Sequence, residues 1–351
     1  MIDKNYCMSS YLAFRYIEDD SADFYEGITH TKNIEIPQRK KVVVYDHHDV
    51  AKAYQAYVDR LKYKKIGILL SGGMDSACLA SFLPAGTDAY TFNFTDVQGI
   101  NVEKTRAEQF AQTYNLNLHY VDINWAVVEK NIDAILLKKG SPCHSIEPQI
   151  MEAALHAKDD GCEIIFVGGG DVAFGGMSKM LSREWDYDDW VDFYTFCKPE
   201  EVLVNPVSVD YVYRRYMLPN NKFDYMRFMN EIFGTESDSS YCNAIITAGF
   251  DYDPSVNPSE IMQLGVPLDI ERIRNGDTKY IVRQLFAERY PTLPVPDKNP
   301  MPRPVDFYFR DWEGPSRPEF KKGLDMAKFT GNQKWQMWCL ERFLNLMEPL
   351  Q

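Results

Sequence analysis

Between residues 65 and 171, short apolar runs alternate with segments of helix length. That alternation restricts the fold more than any other feature of the chain. Residues 65–70, 89–94, 118–123 and 163–167 read as strands. Residues 75–82, 102–114 and 146–157 read as helices, the second with apolar residues at Ala107, Phe110, Ala111 and Tyr114. Strands separated by helices pair in parallel through right-handed crossovers. The expected fold class is therefore α/β, a doubly wound parallel sheet with its site at the carboxyl ends of the strands. Beyond residue 177 the alternation stops. Residues 177–290 read as mostly helical, residues 291–318 as a proline-braced extended segment, and residues 333–347 as an amphipathic helix. Ahead of the alternating region, residues 11–17 are a short apolar stretch, residues 41–45 a strand and residues 50–61 a helix.

Composition removes several classes of function. The net charge is −13, from 38 Lys+Arg against 51 Asp+Glu. A nucleic-acid binder needs a basic footprint, so nucleic acid is not an expected partner. The longest apolar run, Ile66 to Leu70, is far short of the roughly 20 residues of a membrane helix. Residues 1–5 lack the layout of a secretion signal. The 7 cysteines contain no CxxC pair, which argues against a zinc site or a disulfide framework. A cytoplasmic protein with reduced thiols is expected.

Two glycine turns bear the chemistry. Ser71-Gly72-Gly73-Met74-Asp75-Ser76 joins the first core strand to its helix. In that setting backbone N–H groups converge and can hold phosphate without side-chain charge. Ser71 and Ser76 add hydroxyls. Asp75 would repel phosphate unless Mg²⁺ lies between them. No Lys follows at the place a GxxxxGK[ST] loop requires, so this is a different phosphate cradle. The second turn, Val167-Gly168-Gly169-Gly170-Asp171, follows the fourth strand and also ends in Asp. Two such turns on neighbouring parallel strands make a metal-bridged triphosphate site, with Asp75 and Asp171 as metal ligands.

The first turn resembles the PP-loop of the ATP pyrophosphatase superfamily, whose sheet is of the adenine nucleotide alpha-hydrolase-like type. The second, running on to Gly175-Gly176, resembles the asparagine synthetase and β-lactam synthetase branch. Gly276-Asp277-Thr278-Lys279 through Arg283, then Leu293-Pro294-Val295-Pro296-Asp297-Lys298, is similar to that branch's K-x-x-L-R helix and lysine loop, with Val282 in place of the leucine. The resemblance implies catalytic roles for Lys279 and Lys298, the latter as a fixed cation at the transferring phosphoryl group. It places adenine near Leu69 and Phe92-Asn93, and phosphates at Ser71, Gly72, Gly73, Ser76, Val167, Gly168 and Gly169. It also implies a lead-in segment over residues 1–60, packed on a synthetase domain over residues 61–351.

The chain departs from that pattern in two places. Gly168 stands where asparagine synthetase has a glutamate and β-lactam synthetase a tyrosine, and Val172 stands where the branch has an acid. Glu200 and Glu201 lie near the position of the β-lactam-type base; Glu201 is a catalytic candidate, and the base itself is unassigned. About seventy residues precede the PP-loop, too few for a glutaminase domain, so ammonia would come from solution or from a separate glutaminase. The function implied is an ATP- and Mg²⁺-dependent, amide-forming ligase that adenylates a small carboxylate and passes the acyl group to ammonia or an amine. The rivals are another PP-loop enzyme, such as a thiolase, and an ATP-binding scaffold that has lost catalysis. The pair Cys143-His144 is adjacent in sequence, so the two side chains cannot face each other as a catalytic dyad.

Overall fold

The structure, a computed structural model, describes residues 1–31, 38–100, 102–251, 258–297 and 301–348. Four strands form the central sheet: β2 (Ile66–Leu69), β3 (Asp88–Phe94), β4 (Asn117–Ile123) and β5 (Ile164–Val167), after a short β1 (Val42–Val44). Their order is β4-β3-β2-β5 and every pairing is parallel. Leu69 lies opposite both Tyr90 and Val167, so the two glycine turns leave adjacent strands at one level.

The helices α1 (Lys4–Phe14), α2 (His47–Arg60), α3 (Met74–Ala80), α4 (Val102–Tyr114), α5 (Trp125–Lys139) and α6 (Glu147–Asp159) precede or connect these strands. Strand alternation sends side chains to two cores. Ile66, Ile68, Ile164 and Phe166 pack against α2, α3 and α4, whereas Leu69, Ile165 and Val167 pack against α5 and α6. Helices therefore cover both faces, as the alternation implies.

The second half adds α7 (Tyr187–Tyr194), α8 (Pro199–Val202), α9 (Asp210–Arg214), α10 (Tyr225–Phe228), α11 (Gly234–Thr247), α12 (Ile270–Arg274), α13 (Tyr280–Arg289), α14 (Val305–Tyr308) and α15 (Gly331–Met347). Thr330 and Gln333 form a capping box at the start of α15. The apolar stretch at residues 11–17 spans the last turn of α1 and the three residues after it; α1 is buried from Tyr6 to Phe14 and packs on α8 and α15. All seven cysteines are free thiols. No described helix is long and apolar enough to cross a membrane.

Three elements differ from the sequence reading. Helix α5 fills a stretch to which no element was assigned; Asn124 caps it, and Val128, Ile132, Ile135 and Leu136 form its buried stripe. Within the region expected to be helical, β6 (Met262–Leu264) pairs in parallel with β1, Val42 opposite Met262. A three-residue strand paired about 220 positions away has too few residues to show a period. In the described parts of the proline-rich segment, residues 294–297, 301–304 and 312–316 lack helix as expected, but α14 begins directly after Pro304 and turns flank it.

Candidate active site

The PP-loop is braced by its own side chains. Ser76 Oγ accepts the Ser71 N–H at 3.1 Å and lies 3.0 Å from Ser71 Oγ, which in turn accepts the Gly73 N–H at 3.1 Å. Gly72 and Gly168 are required by close approach. A Cβ on Gly72 would lie 2.6 Å from the Glu103 carbonyl oxygen at the start of α4, and one on Gly168 would lie 2.5 Å from the Ser76 backbone nitrogen. The two loops and the start of α4 are thus in backbone contact, which any side chain at those positions would force apart.

This junction forms one wall of a cleft of about 540 Å³, part of it open to solvent. Leu69, Phe92, Phe94, Ile100 and Val167 make an apolar end; Ser71, Ser76 and Gly168 make a polar one. Of the residues expected from sequence, Leu69, Ser71, Ser76, Phe92, Val167 and Gly168 line it together. Asn93 does not, because its amide donates to Asp122 Oδ1 at 2.6 Å on the neighbouring strand. Gly72, Gly73 and Gly169 shape the turns without lining the cleft. Sequence reasoning missed Glu103 and Lys104, which the first turn of α4 brings into the wall, and Met301 and Pro302 from the proline-rich segment. Burial raises the pKa of Glu103, an effect opposed by the Arg106 charge.

Beside the cleft, Lys279 joins the two loops. Its ammonium ion-pairs with both Asp75 and Asp171. The lysine is 2% exposed, whereas the aspartate side chains are 22% and 42% exposed, so the group opens to solvent on its acidic side. Burial works against the charged lysine, but the two carboxylates outweigh it and raise its pKa. Lys279 adopts left-handed backbone, φ 53°, immediately before α13. That conformation costs a non-glycine residue about 1–3 kcal/mol, and such strain clusters at functional sites. Here it accompanies a buried ammonium placed between two loops that are about a hundred residues apart in sequence. A Cβ on Gly176 would touch both Lys279 and Asp171, so only glycine leaves room for the contact.

The aspartates fit a divalent cation. Two carboxylates converge from separate loops on the Lys279 ammonium, beside the polar end of the cleft, and both keep a solvent-facing side. His47, His48 and Glu288 form another group of metal-ligand type at the surface, with His47 Nε2 3.4 Å from the Glu288 carboxylate.

Two further expectations concern catalytic residues. Glu201 is exposed on the four-residue helix α8, which packs on α1, and it is not among the residues lining the cleft. Lys298 lies outside the described residues.

A parallel sheet with paired glycine turns, two acids and a bridging lysine fits the PP-loop class of synthetase folds. The chain belongs to the asparagine synthase family, whose model matches residues 55–234, just over half of the 351 residues. A curated relative, 7-cyano-7-deazaguanine synthase 2 of Rhodopseudomonas palustris (strain HaA2), is 29% identical over 133 residues. The match covers 35% of this chain and 63% of that relative, so the chain spans a little under two thirds of its length. The solved structure of NMN synthetase from Francisella tularensis aligns with a TM-score of 0.29 at 12% identity, over 74% of this chain and 100% of that one.

Proposed function

We propose that the protein is an AMP-forming carbon–nitrogen ligase, which adenylates a carboxylate with release of pyrophosphate and passes the acyl group to ammonia or an amine. The observation that supports this best is the convergence of Asp75, Asp171 and Lys279 beside the cleft between two glycine turns. Adenine occupies the apolar end between Leu69, Phe92 and Val167. The phosphates lie at the polar end, where the Ser71 and Ser76 hydroxyls exchange their mutual hydrogen bond for phosphate oxygens.

Asp75 and Asp171 would hold Mg²⁺, which when bound offsets the charge of the phosphate oxygens. Lys279, with its proton secured by both carboxylates, fixes the spacing of the two loops and offers positive charge to the phosphoryl group under attack. On sequence grounds Lys298 supplies a second cation. With ammonia as the acceptor, little help is needed in deprotonation, in keeping with Gly168 at the family's base position and Glu201 away from the cleft.

Product analysis tests the reading. The protein, Mg²⁺-ATP and ammonium are incubated with a pool of carboxylates. AMP and pyrophosphate are expected, and omitting the acids one at a time identifies the substrate. ADP and phosphate would overturn the assignment, and ATP binding without any turnover would favour the scaffold.

A further inference from the structure

Three side chains of metal-ligand type meet at the surface, outside the nucleotide cleft. His47 and His48 open α2, and Glu288 is the penultimate residue of α13, which packs on α2. The backbone at both places is held by contacts outside the group. The Asp46 carboxylate accepts the His48 N–H at 2.9 Å and the Asp49 N–H at 3.0 Å, which fixes the first turn of α2. Arg289 Nε donates to Ser81 Oγ at 3.0 Å, and the Arg289 carbonyl accepts the Tyr114 hydroxyl at 2.6 Å, which fixes the last turn of α13.

The distances within the group are those of ligands around an ion. The Glu288 carboxylate lies 3.4 Å from His47 Nε2 and 3.7 Å from His48 Nδ1. Both separations exceed an N–H···O hydrogen bond, which spans about 2.7–3.2 Å. Ligands held about 2.0–2.1 Å from a zinc ion at the corners of a tetrahedron are about 3.3–3.4 Å apart. One ligand atom from each residue lies within 4.8 Å of the other two, so small side-chain rotations close the remaining gap. His47 Nδ1 is buried and has no hydrogen-bond partner among the described residues, so that ring presents Nε2 to the group.

Access and charge also suit a cation. The His48 and Glu288 side chains are 63% and 49% exposed, so an ion reaches them without opening the fold. A helix N-terminus by itself disfavours positive charge. The carboxylates of Asp46, Asp49 and Glu288 oppose that effect, and Lys52, 3.4 Å from Asp49 Oδ1, offsets them in part. Two imidazoles and one carboxylate select a borderline transition-metal ion, whereas Mg²⁺ and Ca²⁺ take oxygen ligands.

We infer that His47, His48 and Glu288 form a site for a divalent transition-metal ion, zinc being the best fit, with water in the fourth position. The ion ties the start of α2 to the end of α13, the helix that Lys279 immediately precedes. The site is separate from the Asp75 and Asp171 pair, whose oxygen donors suit Mg²⁺, and it does not depend on the ligase reading.

Calorimetric titration with Zn²⁺ tests the inference, on protein free of any affinity tag and with Mg²⁺ in excess to occupy the aspartates. One Zn²⁺ per chain should bind to wild type. His48→Ala and Glu288→Gln should each weaken that binding by more than about tenfold, since even the outer-shell partners of metal ligands are worth as much. Zn²⁺ should raise the melting temperature of wild type, and the rise should be lost in His48→Ala. ATP affinity is the control for an intact fold, and the exposure of His48 spares the fold in that variant. No Zn²⁺ binding by wild type, or unchanged affinity in both variants, would overturn the inference. Zn²⁺ binding abolished by Asp75→Asn but kept by His48→Ala would place the ion at the aspartates and overturn it as well. The ligase reading fails by a different result, the absence of pyrophosphate release with any acid.

Discussion

Lys139 and Lys279 are each 2% exposed, and each is ion-paired to an acid, but the two surroundings differ. Around Lys139 everything is matched. Glu147 accepts the Lys139 ammonium and the His144 N–H on one oxygen and the Asn243 amide at 2.6 Å on the other. The pair has no net charge and no opening. Lys279 pairs with two acids from separate loops, and both acids reach solvent. Burial opposes the charge of each lysine, and in each case the neighbouring acids raise the pKa. What separates the two lysines is the convergence of acids from two loops and the open side, not the depth of the lysine.

This comparison can be broken by experiment. The largest effect should come from the open group: Asp75→Asn should leave no measurable pyrophosphate release, while circular dichroism stays unchanged. Retained turnover would remove Asp75 from the metal role. Lys139→Met should lower stability by about 3–5 kcal/mol, because Glu147 is left as a buried, unpaired charge. Urea titration reads that loss, and turnover per folded molecule should stay within a few-fold of wild type. Lys279→Ala should do the reverse, cutting turnover by about 10²–10³-fold with ATP still bound. Because two like charges are then left facing each other, Mg²⁺ should raise the melting temperature of this variant more than that of wild type. An equal rise in both would mean that the aspartates do not share a cation.

The smallest effect belongs to a third lysine, Lys4, which pairs with Glu319 and Glu348 at the join between the chain's two ends. Burial of Glu319 favours its neutral form, but Arg317 and Lys4 outweigh this and bring its pKa down to about 2. Its folded-state pKa therefore lies below the ordinary 4.5, so its contribution is present above pH 4.5 and is lost as pH falls toward 2. Water screens this partly open group, and Glu319→Gln should cost about 1 kcal/mol or less at pH 7. The difference from wild type should shrink between pH 4.5 and 2, as measured by urea midpoints. A difference that grows on acidification would mean that the group acts through packing.

Much of the cleft wall was legible because its parts are local. Ser71, Gly72, Gly73 and Ser76 hydrogen-bond and turn within six residues, and their spacing is a property of the backbone. The strands were legible for a similar reason, since β2 and β5 are buried on both faces and read as continuous apolar runs. Asn93 shows the limit. Its place at the end of β3 was correctly read, but its side chain turns to Asp122 on β4, a partner that sequence spacing does not reveal. Glu201 was placed by a loose resemblance, and its side chain is exposed on α8, outside the cleft lining.

The sequence by itself determined the α/β class, the two glycine turns and the pair of aspartates, because each depends on contacts within a few residues or on a repeating period. Only the tertiary structure decided that Lys279 stands between those aspartates, that Glu103 and Pro302 complete the cleft, and that Arg303 lines a second cavity. Those facts depend on which side chains share a low-dielectric space. Side chains from distant segments enter that space only when the sheet and both of its cores have formed, and a local pattern of residues has no record of it.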